Sequence, residues 1–527
     1  MAAQTYMIGV DIGTTSTKAV LFTDTGTVVG KALATYPLYT PDVATAEQDP
    51  QEIMAAVVKT VGQVMQVHGL APGQVLALAF SAAMHSLILV DGADQPITRS
   101  ITWADNRSAS WEKRIERTMN GHAIYRRTGT PIHPMSPLVK LAWLRHDQPD
   151  LMQRAARFIS IKEYVFYQLL GRYVIDHSIA AAMGLLNLEQ LTWDEDALAV
   201  AGVKASALSE LVPTTTVLRG LKPSLASAMG LAVDTPLVIG ASDGVLSNLG
   251  VGAISPGLVA VTVGTSGAVR AVVDRPMTDP QERLFCYPLT EHQWVIGGAV
   301  NNGGIALRWV RDQLADAEVA TAKRLGQDVY TLLITMAQAV PPGAEGLLFH
   351  PYLMGERSPL WDAQARASFF GLSLKHTKSH MVRAVLEGIV YNLYLVLKAL
   401  EDFAGPAIQV RATGGFAKSA LWRQMMADIF NREVMIPEHY ESSCLGATVL
   451  GLYALGHISG LEAVTTMIGD TYCHTPNPEA RDLYQKVLPV FERLVAVFAA
   501  EYEAIAPLQA QISRAQLGHS RPTTPDG

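Results

Sequence analysis

The feature that most restricts the fold of this chain is a strand–turn–strand pattern that occurs once in each half. In the first half, two apolar segments flank residues 11–18 (DIGTTSTK), and in the second half two apolar segments flank residues 264–267 (GTSG). Each copy is typical of antiparallel strands joined by a turn rich in glycine and hydroxyl side chains. Such a repeat predicts that the chain consists of two related halves.

Composition and the order of elements indicate the fold class. Strand-like and helix-like segments alternate, and 49% of the residues are hydrophobic whereas 17% are charged, which is typical of α/β proteins with buried central strands. We therefore predict an α/β protein with two duplicated lobes, residues 1–250 and 251–505, and a cleft between them. The final residues, 506–527, are predicted to form a flexible tail.

Charge and cysteine content exclude several classes of protein. Lys and Arg total 41 against 48 Asp and Glu, a net charge of −7 without long runs of one sign, so we expect no nucleic-acid or membrane partner. Three cysteines, Cys286, Cys444 and Cys473, lack the spacing of a disulfide scaffold or a zinc site. The N-terminus lacks a basic region before its first aspartate, unlike a signal peptide. We expect a cytoplasmic protein.

One uncharged stretch, residues 244–269, is long enough to cross a bilayer. It contains Pro256, Asn248 and several glycines, which are turn signals. Buried strands joined by turns are therefore the expected structure of this segment.

The turn at residues 11–18 has the chemistry of an anion site. The chain has no GxxxxGK[ST] motif, so a phosphate would be bound by other means. Gly13 permits a tight turn, neighbouring backbone N–H groups and hydroxyls can surround an anion, and Lys18 adds a positive charge. An ordinary hairpin turn would contain the same residue types, so this motif alone does not decide the function.

Three turns in order resemble the loops of the actin-like (ribonuclease H-like) ATPase superfamily. Residues 11–18, 264–267 and 413–415 (TGG) are similar to its first phosphate loop, second phosphate loop and adenosine loop. Residues 135–144 (MSPLVKLAWL) and 367–387 resemble the two signatures of the FGGY carbohydrate kinases, although His146 departs from the first signature. The resemblance extends from Met7 to about Ala504 and implies two actin-like lobes.

This resemblance also implies ATP and Mg²⁺ as cofactors and a role for individual residues. Asp243 would be the general base, and Asp11 would orient Mg²⁺ through a water molecule. The residues expected to bind the nucleotide are Gly13, Thr14, Thr15, Ser16, Lys18, Gly264, Thr265, Gly304, Gly414, Gly415 and Ser419.

The acceptor is expected to lie on loops at residues 81–86 and 102–107. The resemblance implies that Asp243 binds it together with Met84, His85, Trp103, Asp105 and Arg107. Within the family, segments such as 101–108 (ITWADNRS) and 240–250 are most similar to gluconate kinases, with xylulose kinases as the nearest alternative. A sugar acid and ATP are thus the expected partners, and a homodimer is compatible with the resemblance.

Two points stay open at the level of sequence. The carboxylate of a sugar acid needs a cation or N–H groups, for which Arg107, Lys162, His133 and His85 are all available. Residues 240–244 (GASDG) also match the nucleophile-elbow pattern of α/β-hydrolases, which would make Ser242 a nucleophile. A third reading is an ATP-binding sensor without acceptor chemistry.

Overall fold

The computed structural model describes residues 4–42, 44–437, 441–469 and 471–519, and these form two α/β lobes. The sheet of the first lobe has six strands in the order β13-β14-β5-β1-β2-β3. The strands of this lobe are β1 (Tyr6–Ile12), β2 (Ser16–Thr23), β3 (Val28–Thr35), β4 (Glu47–Gln48), β5 (Val75–Ala82), β6 (Ile88–Val90), β7 (Ser100–Ile101), β8 (Arg157–Ile159), β9 (Val174–Asp176), β10 (Leu186–Asn187), β11 (Thr192–Trp193), β12 (Glu210–Val212), β13 (Val217–Leu218) and β14 (Leu237–Ser242). Its helices are α1 (Pro50–Val67), α2 (Ala109–Thr118), α3 (Gly121–Thr128), α4 (Pro137–Asp147), α5 (Pro149–Arg154), α6 (Ile161–Leu170), α7 (His177–Ala182), α8 (Glu195–Ala201), α9 (Pro223–Met229) and α10 (Asp243–Gly250).

The second lobe contains a seven-stranded sheet in the order β17-β18-β16-β15-β21-β22-β23. Its strands are β15 (Leu258–Val263), β16 (Gly267–Val273), β17 (Phe285–Pro288), β18 (Trp294–Val300), β19 (Leu348–His350), β20 (Ser368–Phe370), β21 (Gln409–Gly414), β22 (Glu433–Pro437) and β23 (Thr471–His474). Its helices are α11 (Gly304–Leu314), α12 (Asp316–Leu325), α13 (Val329–Gln338), α14 (Lys378–Ala404), α15 (Ala420–Phe430), α16 (Ser442–Ala454) and α17 (Pro478–His519).

The two sheets share one topology. In the first lobe β1, β2 and β3 pair antiparallel, and β5 and β14 extend the sheet in parallel beyond β1. In the second lobe β15, β16 and β18 pair antiparallel, and β21 and β22 extend the sheet in parallel beyond β15. The predicted α/β class, the duplication and both hairpins are therefore confirmed.

Local sequence explains where the first helix lies. Asp49 precedes α1 and its carboxylate accepts a hydrogen bond from the Gln51 amide, while Pro50 occupies the first turn, where its missing N–H costs nothing. Ile53, Val57 and other apolar residues recur at helical spacing and are buried. These signals predict the helix from sequence, and the structure places it at Pro50–Val67.

The apolar segments of the chain are core elements. Residues 244–269 form most of α10, then β15 and the start of β16, as the turn signals predict. Helix α14 is long and apolar enough to cross a membrane by composition, but 83% of its most apolar window is buried inside the protein. It packs on β16, β18 and β19 of the second lobe, so it is a central helix of this lobe.

The C-terminal helix differs from its sequence-based prediction. The pattern predicts a helix ending near Ala504 and a flexible tail over 506–527, whereas α17 continues to His519. Tyr502 and Ala506, one turn apart, are both buried, so the helix continues to pack after residue 504. Residues 520–527 lie outside the described part of the chain.

Helices α10 and α16 cross at backbone contact and join the lobes. A Cβ atom on Gly250 would collide with the carbonyl oxygen of Ser442, and a Cβ atom on Gly446 would collide with that of Leu246. The Ser247 and Ser442 hydroxyls are hydrogen-bonded at 2.9 Å across the same crossing. Glycine is thus required for the approach of the two helices.

We expect Gly446→Ala to lower the free energy of unfolding by about 1–3 kcal/mol, because the added methyl group meets rigid backbone. The matched control is Gly73→Ala, since a Cβ atom there has no neighbour within 4 Å. Chemical denaturation of both variants measures the difference. Equal midpoints for the two variants would contradict the role of this crossing.

Candidate active site

The first turn, between β1 and β2, is tied down through its carbonyl groups. The Gly13 amide donates to the Ser16 carbonyl at 3.0 Å, and the Tyr36 hydroxyl donates to the Gly13 carbonyl at 2.7 Å. The Gln48 side-chain amide donates to the Thr14 carbonyl at 2.6 Å. The amides of Thr14 and Thr15 have no hydrogen-bond partner among the described residues. The turn is therefore rigid and presents unused N–H donors.

The second turn, between β15 and β16, is built in the same way. The Gly264 amide donates to the Ser266 carbonyl at 2.8 Å. Two amides at the start of α11 also donate to carbonyl groups of the turn, Gly304 to Gly264 at 2.7 Å and Ile305 to Thr265 at 3.1 Å. Within the part of the chain that the structure describes, nothing accepts from the amides of Thr265 and Ser266. Both hairpin turns thus offer free backbone donors.

Both turns reach one small cavity between the lobes. Its volume is about 230 Å³. It is lined by Thr14, Met84, His85, Trp103, Met135, Asp243, Thr262, Gly264, Ser266, Gly267, Ala268, Arg270, Phe285, Ala299 and Arg357. Five of the predicted site residues therefore lie together beside the second turn. They are Met84, His85 and Trp103 from the expected acceptor loops, Asp243, and Thr14 from the first turn.

Asp243 begins α10 at the edge of this cavity. One carboxylate oxygen accepts a hydrogen bond from the Gly244 amide at 2.7 Å. Burial, with a smaller contribution from the nearby Asp11 carboxylate, raises the pKa of Asp243 to about 6, while the Arg270 guanidinium opposes this rise. The carboxylate is thus ionised at neutral pH and much more basic than an exposed aspartate.

Asp11 lies at the end of β1, opposite Ser81 of the parallel strand β5. The Ser81 hydroxyl donates to its carboxylate at 2.7 Å, and burial raises the pKa of Asp11. Lys18, predicted to bind the nucleotide, forms an ion pair with Glu441 of the second lobe at 3.0 Å. Lys31 binds the other oxygen of the same carboxylate at 3.0 Å.

A second, larger cavity of about 660 Å³ adjoins the first through Gly264, which lines both. Four further residues predicted to bind the nucleotide line it, namely Thr265, Gly304, Gly415 and Ser419. A Cβ atom on Gly415 would have no neighbour within 4 Å, so this glycine leaves open space in the cavity. Ser419 caps α15 by accepting from the Trp422 amide at 3.2 Å.

The remaining predicted residues support the cavities from outside their linings. This group comprises Asp11, Gly13, Thr15, Ser16, Lys18, Asp105, Arg107 and Gly414. Gly414 has φ +112°, and a Cβ atom there would strike the Val263 carbonyl. Glycine is therefore required at this position for the backbone conformation and for the approach of β21 to β15. Asp105 accepts from the Arg107 Nε at 2.9 Å and from the Ala46 amide at 3.0 Å, which fixes the loop that carries Trp103.

The four cations considered for a substrate carboxylate are engaged elsewhere or neutral. Arg107 pairs with Asp105 and with Glu47 at 2.6 Å. Lys162 is buried against Asp176 at 2.7 Å and the Ala241 carbonyl at 3.2 Å.

The two histidines of that group are neutral. His85 donates from Nδ1 to the Ala182 carbonyl at 2.6 Å, and burial lowers its pKa to about 3. His133 accepts from the Met135 amide through Nδ1 at 3.1 Å, and burial lowers its pKa well below the usual value. Neither ring supplies a positive charge near neutral pH.

Sequence reasoning missed the two arginines that line the smaller cavity, Arg270 and Arg357. Arg270 is the only charged residue within the otherwise apolar strand β16. A charged residue at such a position indicates a functional site, because burying an unpaired charge is costly. Arg357 belongs to the loop after β19, and no pattern around it indicates that it faces Trp103.

Ser242 does not have the environment of a hydrolase nucleophile. Its side chain is buried, and its hydroxyl accepts from the Ser178 hydroxyl at 3.0 Å. No histidine of the described residues is hydrogen-bonded to it. The GASDG motif instead ends β14 and starts α10.

Comparison with known proteins identifies the family of the chain. A gluconokinase of Bacillus licheniformis is 55% identical over 509 residues, covering 96% of this chain and 99% of that protein. Two structures from Lactobacillus acidophilus, described as a gluconate kinase and a ligand-bound xylulose kinase, each superpose with TM-score 0.89 at 38% identity, covering 95% of this chain and 100% of theirs. The N-terminal domain of the FGGY family of carbohydrate kinases matches residues 6–250 and its C-terminal domain matches residues 259–455. The chain therefore belongs to the FGGY family of carbohydrate kinases.

Proposed function

We propose that this chain transfers the γ-phosphoryl group of ATP to the terminal hydroxyl of D-gluconate, forming 6-phospho-D-gluconate. The observation that carries the proposal is the position of Asp243, a buried and basic carboxylate, in one cavity with both hairpin turns. The larger adjoining cavity, of about 660 Å³, has the size of a small-molecule site and takes the nucleotide.

The choice of gluconate is supported by relatives. The gluconokinase of Bacillus licheniformis matches this chain over nearly its whole length. D-Xylulose is the second candidate acceptor, because one of the two equally similar Lactobacillus acidophilus structures is described as a xylulose kinase. The smaller cavity, of about 230 Å³, is the acceptor cavity in this proposal. Its lining contains two arginines and one aspartate, which favours the acid over the neutral ketose.

In the proposed mechanism Asp243 accepts the proton of the attacking hydroxyl as the oxygen bonds to phosphorus and the bond to the ADP oxygen breaks. A carboxylate with a pKa of about 6 is ionised at pH 7 and is a stronger base than an exposed aspartate. The free amides of Thr14, Thr15, Thr265 and Ser266 donate to phosphate oxygens. Enclosure between the lobes excludes water that would otherwise hydrolyse ATP.

The carboxylates near the cavities suit a Mg²⁺ ion that keeps most of its water ligands. No group of three or more His, Cys, Asp or Glu side chains that could hold a metal occurs in the described parts of the chain. Mg²⁺ commonly keeps several waters and uses one or two carboxylates, so Asp11, acting through water, would hold it. When bound, the ion would neutralise charge on the phosphate oxygens.

We place the reaction in the cytoplasm. Cys286, Cys444 and Cys473 are all free thiols, and two of them are buried. Free thiols fit a reducing compartment.

The test of this function is ADP formation with a panel of acceptors. Gluconate, xylulose, ribulose, glycerol and no acceptor are compared at equal concentrations. We expect the highest kcat/KM with gluconate and little ADP without an acceptor. A preference for xylulose would overturn the choice of acceptor, and ATP binding without acceptor-dependent turnover would support a sensor instead.

We expect Asp243→Asn to lower kcat by about 10²-fold or more, because general-base catalysis typically contributes that much. The matched control is Ser242→Ala, since the neighbouring serine is buried against Ser178 and is not part of the lining of the smaller cavity. Steady-state kinetics with gluconate compares the two. Similar rates for Asp243→Asn and the unmodified enzyme would remove the general-base role.

The pH dependence follows from the same carboxylate. Because Asp243 must be ionised to accept a proton, kcat/KM should fall as the pH drops through about 6, the raised pKa of this group. Arg270→Met removes a positive charge that lowers the pKa of Asp243, so the acidic limb should move to higher pH. A pH profile of kcat/KM for both proteins checks this, and an unmoved limb would show that Arg270 does not act on Asp243.

A further inference from the structure

We propose that Arg357 binds the carboxylate of the acceptor and thereby selects sugar acids over neutral polyols of the same length. This inference rests on the proposed function and assigns the cation that the sequence leaves undecided. It is carried by the charge of the acceptor cavity and by the unused donors of one buried side chain.

The acceptor cavity holds an excess of positive charge. Its lining contains one carboxylate, Asp243, and two guanidinium groups, Arg270 and Arg357. His85, also in the lining, is neutral because burial lowers its pKa to about 3. Guanidinium groups therefore outnumber carboxylates in the lining, and an anionic acceptor would add a second negative charge to this cavity.

Asp243 accounts for Arg270. The guanidinium of Arg270 adjoins the backbone of Gly244, the residue after Asp243, because a Cβ atom on Gly244 would lie 3.3 Å from its Nε and Nη2. Among the charged groups around Arg270, Asp243 is the one that favours its protonated form. Arg270 thus lies beside the general base, and Arg357 is the guanidinium that we assign to the acceptor carboxylate.

Arg357 is buried, and part of its hydrogen-bonding capacity is unused. Its exposed fraction is 7%, its Nη2 donates to the Val300 carbonyl at 3.2 Å, and its Nε has no partner among the described residues. No carboxylate of the described residues forms an ion pair with its guanidinium. A buried cation with a free donor in a cavity is a receptor for an anion.

The adjacent carboxylate, Glu356, favours the charged form of Arg357 through space but accepts no hydrogen bond from its guanidinium. Its Oε1 accepts from the backbone amides of Asn301 and of Arg357, and its Oε2 accepts from the side chains of Asn302 and Asn392 at 3.0 and 2.8 Å. Both oxygens are therefore occupied by amide donors. The function of Glu356 in this arrangement is to hold the backbone of Arg357 in place.

The arginine is also oriented by the wall of the cavity. Its guanidinium carbon lies 4.9 Å from the centre of the Trp103 ring, a cation–π contact. The Trp103 indole donates to the Thr14 hydroxyl at 3.0 Å, which ties this wall to the first phosphate turn. A carboxylate bound at Arg357 would therefore be held at a fixed position relative to the first phosphate turn.

The experiment compares D-gluconate with D-glucitol, which carries a hydroxymethyl group in place of the carboxylate. We expect Arg357→Met to lower the ratio of kcat/KM for gluconate to kcat/KM for glucitol by roughly 100-fold, the effect of losing one buried charge pair. Arg357→Lys, which keeps the charge but not the planar guanidinium, should retain part of the ratio. Protection of the protein against thermal unfolding by gluconate alone should decrease in parallel.

Two further variants separate this role from structural effects. Arg172→Met removes an exposed arginine paired with Glu210 and should leave the ratio unchanged. Arg270→Met should change the pH profile more than the ratio. If Arg270→Met abolishes the preference for the acid and Arg357→Met retains it, the assignment to Arg357 is overturned.

The unmodified enzyme distinguishes failure of this inference from failure of the proposed function. If the unmodified enzyme does not phosphorylate gluconate, the proposed function fails, and with it the substrate on which this inference rests. If the unmodified enzyme prefers gluconate and folded Arg357→Met keeps that preference, only the role of Arg357 fails. Circular dichroism and the melting temperature without ligand establish that the variants are folded.

Discussion

The close crossing of α10 and α16 is the constraint on which the rest of the site depends. Gly250 and Gly446 let two helices from different lobes meet at their backbones, and α16 also packs on the first lobe's sheet, where Gly9 faces the Cys444 carbonyl. Asp243 is the first residue of α10. The contact that joins the lobes therefore also sets the position of Asp243, the proposed general base, relative to the second hairpin turn.

Duplication explains how few residues would be needed to surround the polyphosphate of the proposed nucleotide. Each lobe contributes a hairpin turn whose amides are free because neighbouring side chains or a helix start bind the turn's carbonyls instead. Such preorganised donors need no rearrangement when charge develops on the transferred group. The acceptor cavity differs from the turns because charged side chains line it, namely the Asp243 carboxylate and the guanidinium groups of Arg270 and Arg357. Under the proposed function, the two guanidinium groups of its lining suit an acidic sugar better than a neutral one.

Much of the fold was predictable because its signals are local. Alternating apolar strands, glycine turns and the Asp49–Pro50 helix start are readable in short windows of sequence, and the structure bears them out. The end of α17 was not, because burial of Ala506 depends on distant packing. Within the site, the turns, Asp243, His85 and Trp103 follow from motifs. The ion pair of Lys18 with Glu441 does not follow from any motif, because the carboxylate belongs to a residue far along the chain.

The sequence alone thus determined the class of the fold, its duplication and the three turns, since each is encoded by neighbouring residues. Only the tertiary structure decided which cations are free. Arg107 and Lys162 look available in sequence but are paired with Glu47, Asp105 and Asp176, whereas Arg270 and Arg357 come from separate segments and meet only in the folded cavity. Charge compensation is a property of distances in space, and spacing along the chain does not encode it.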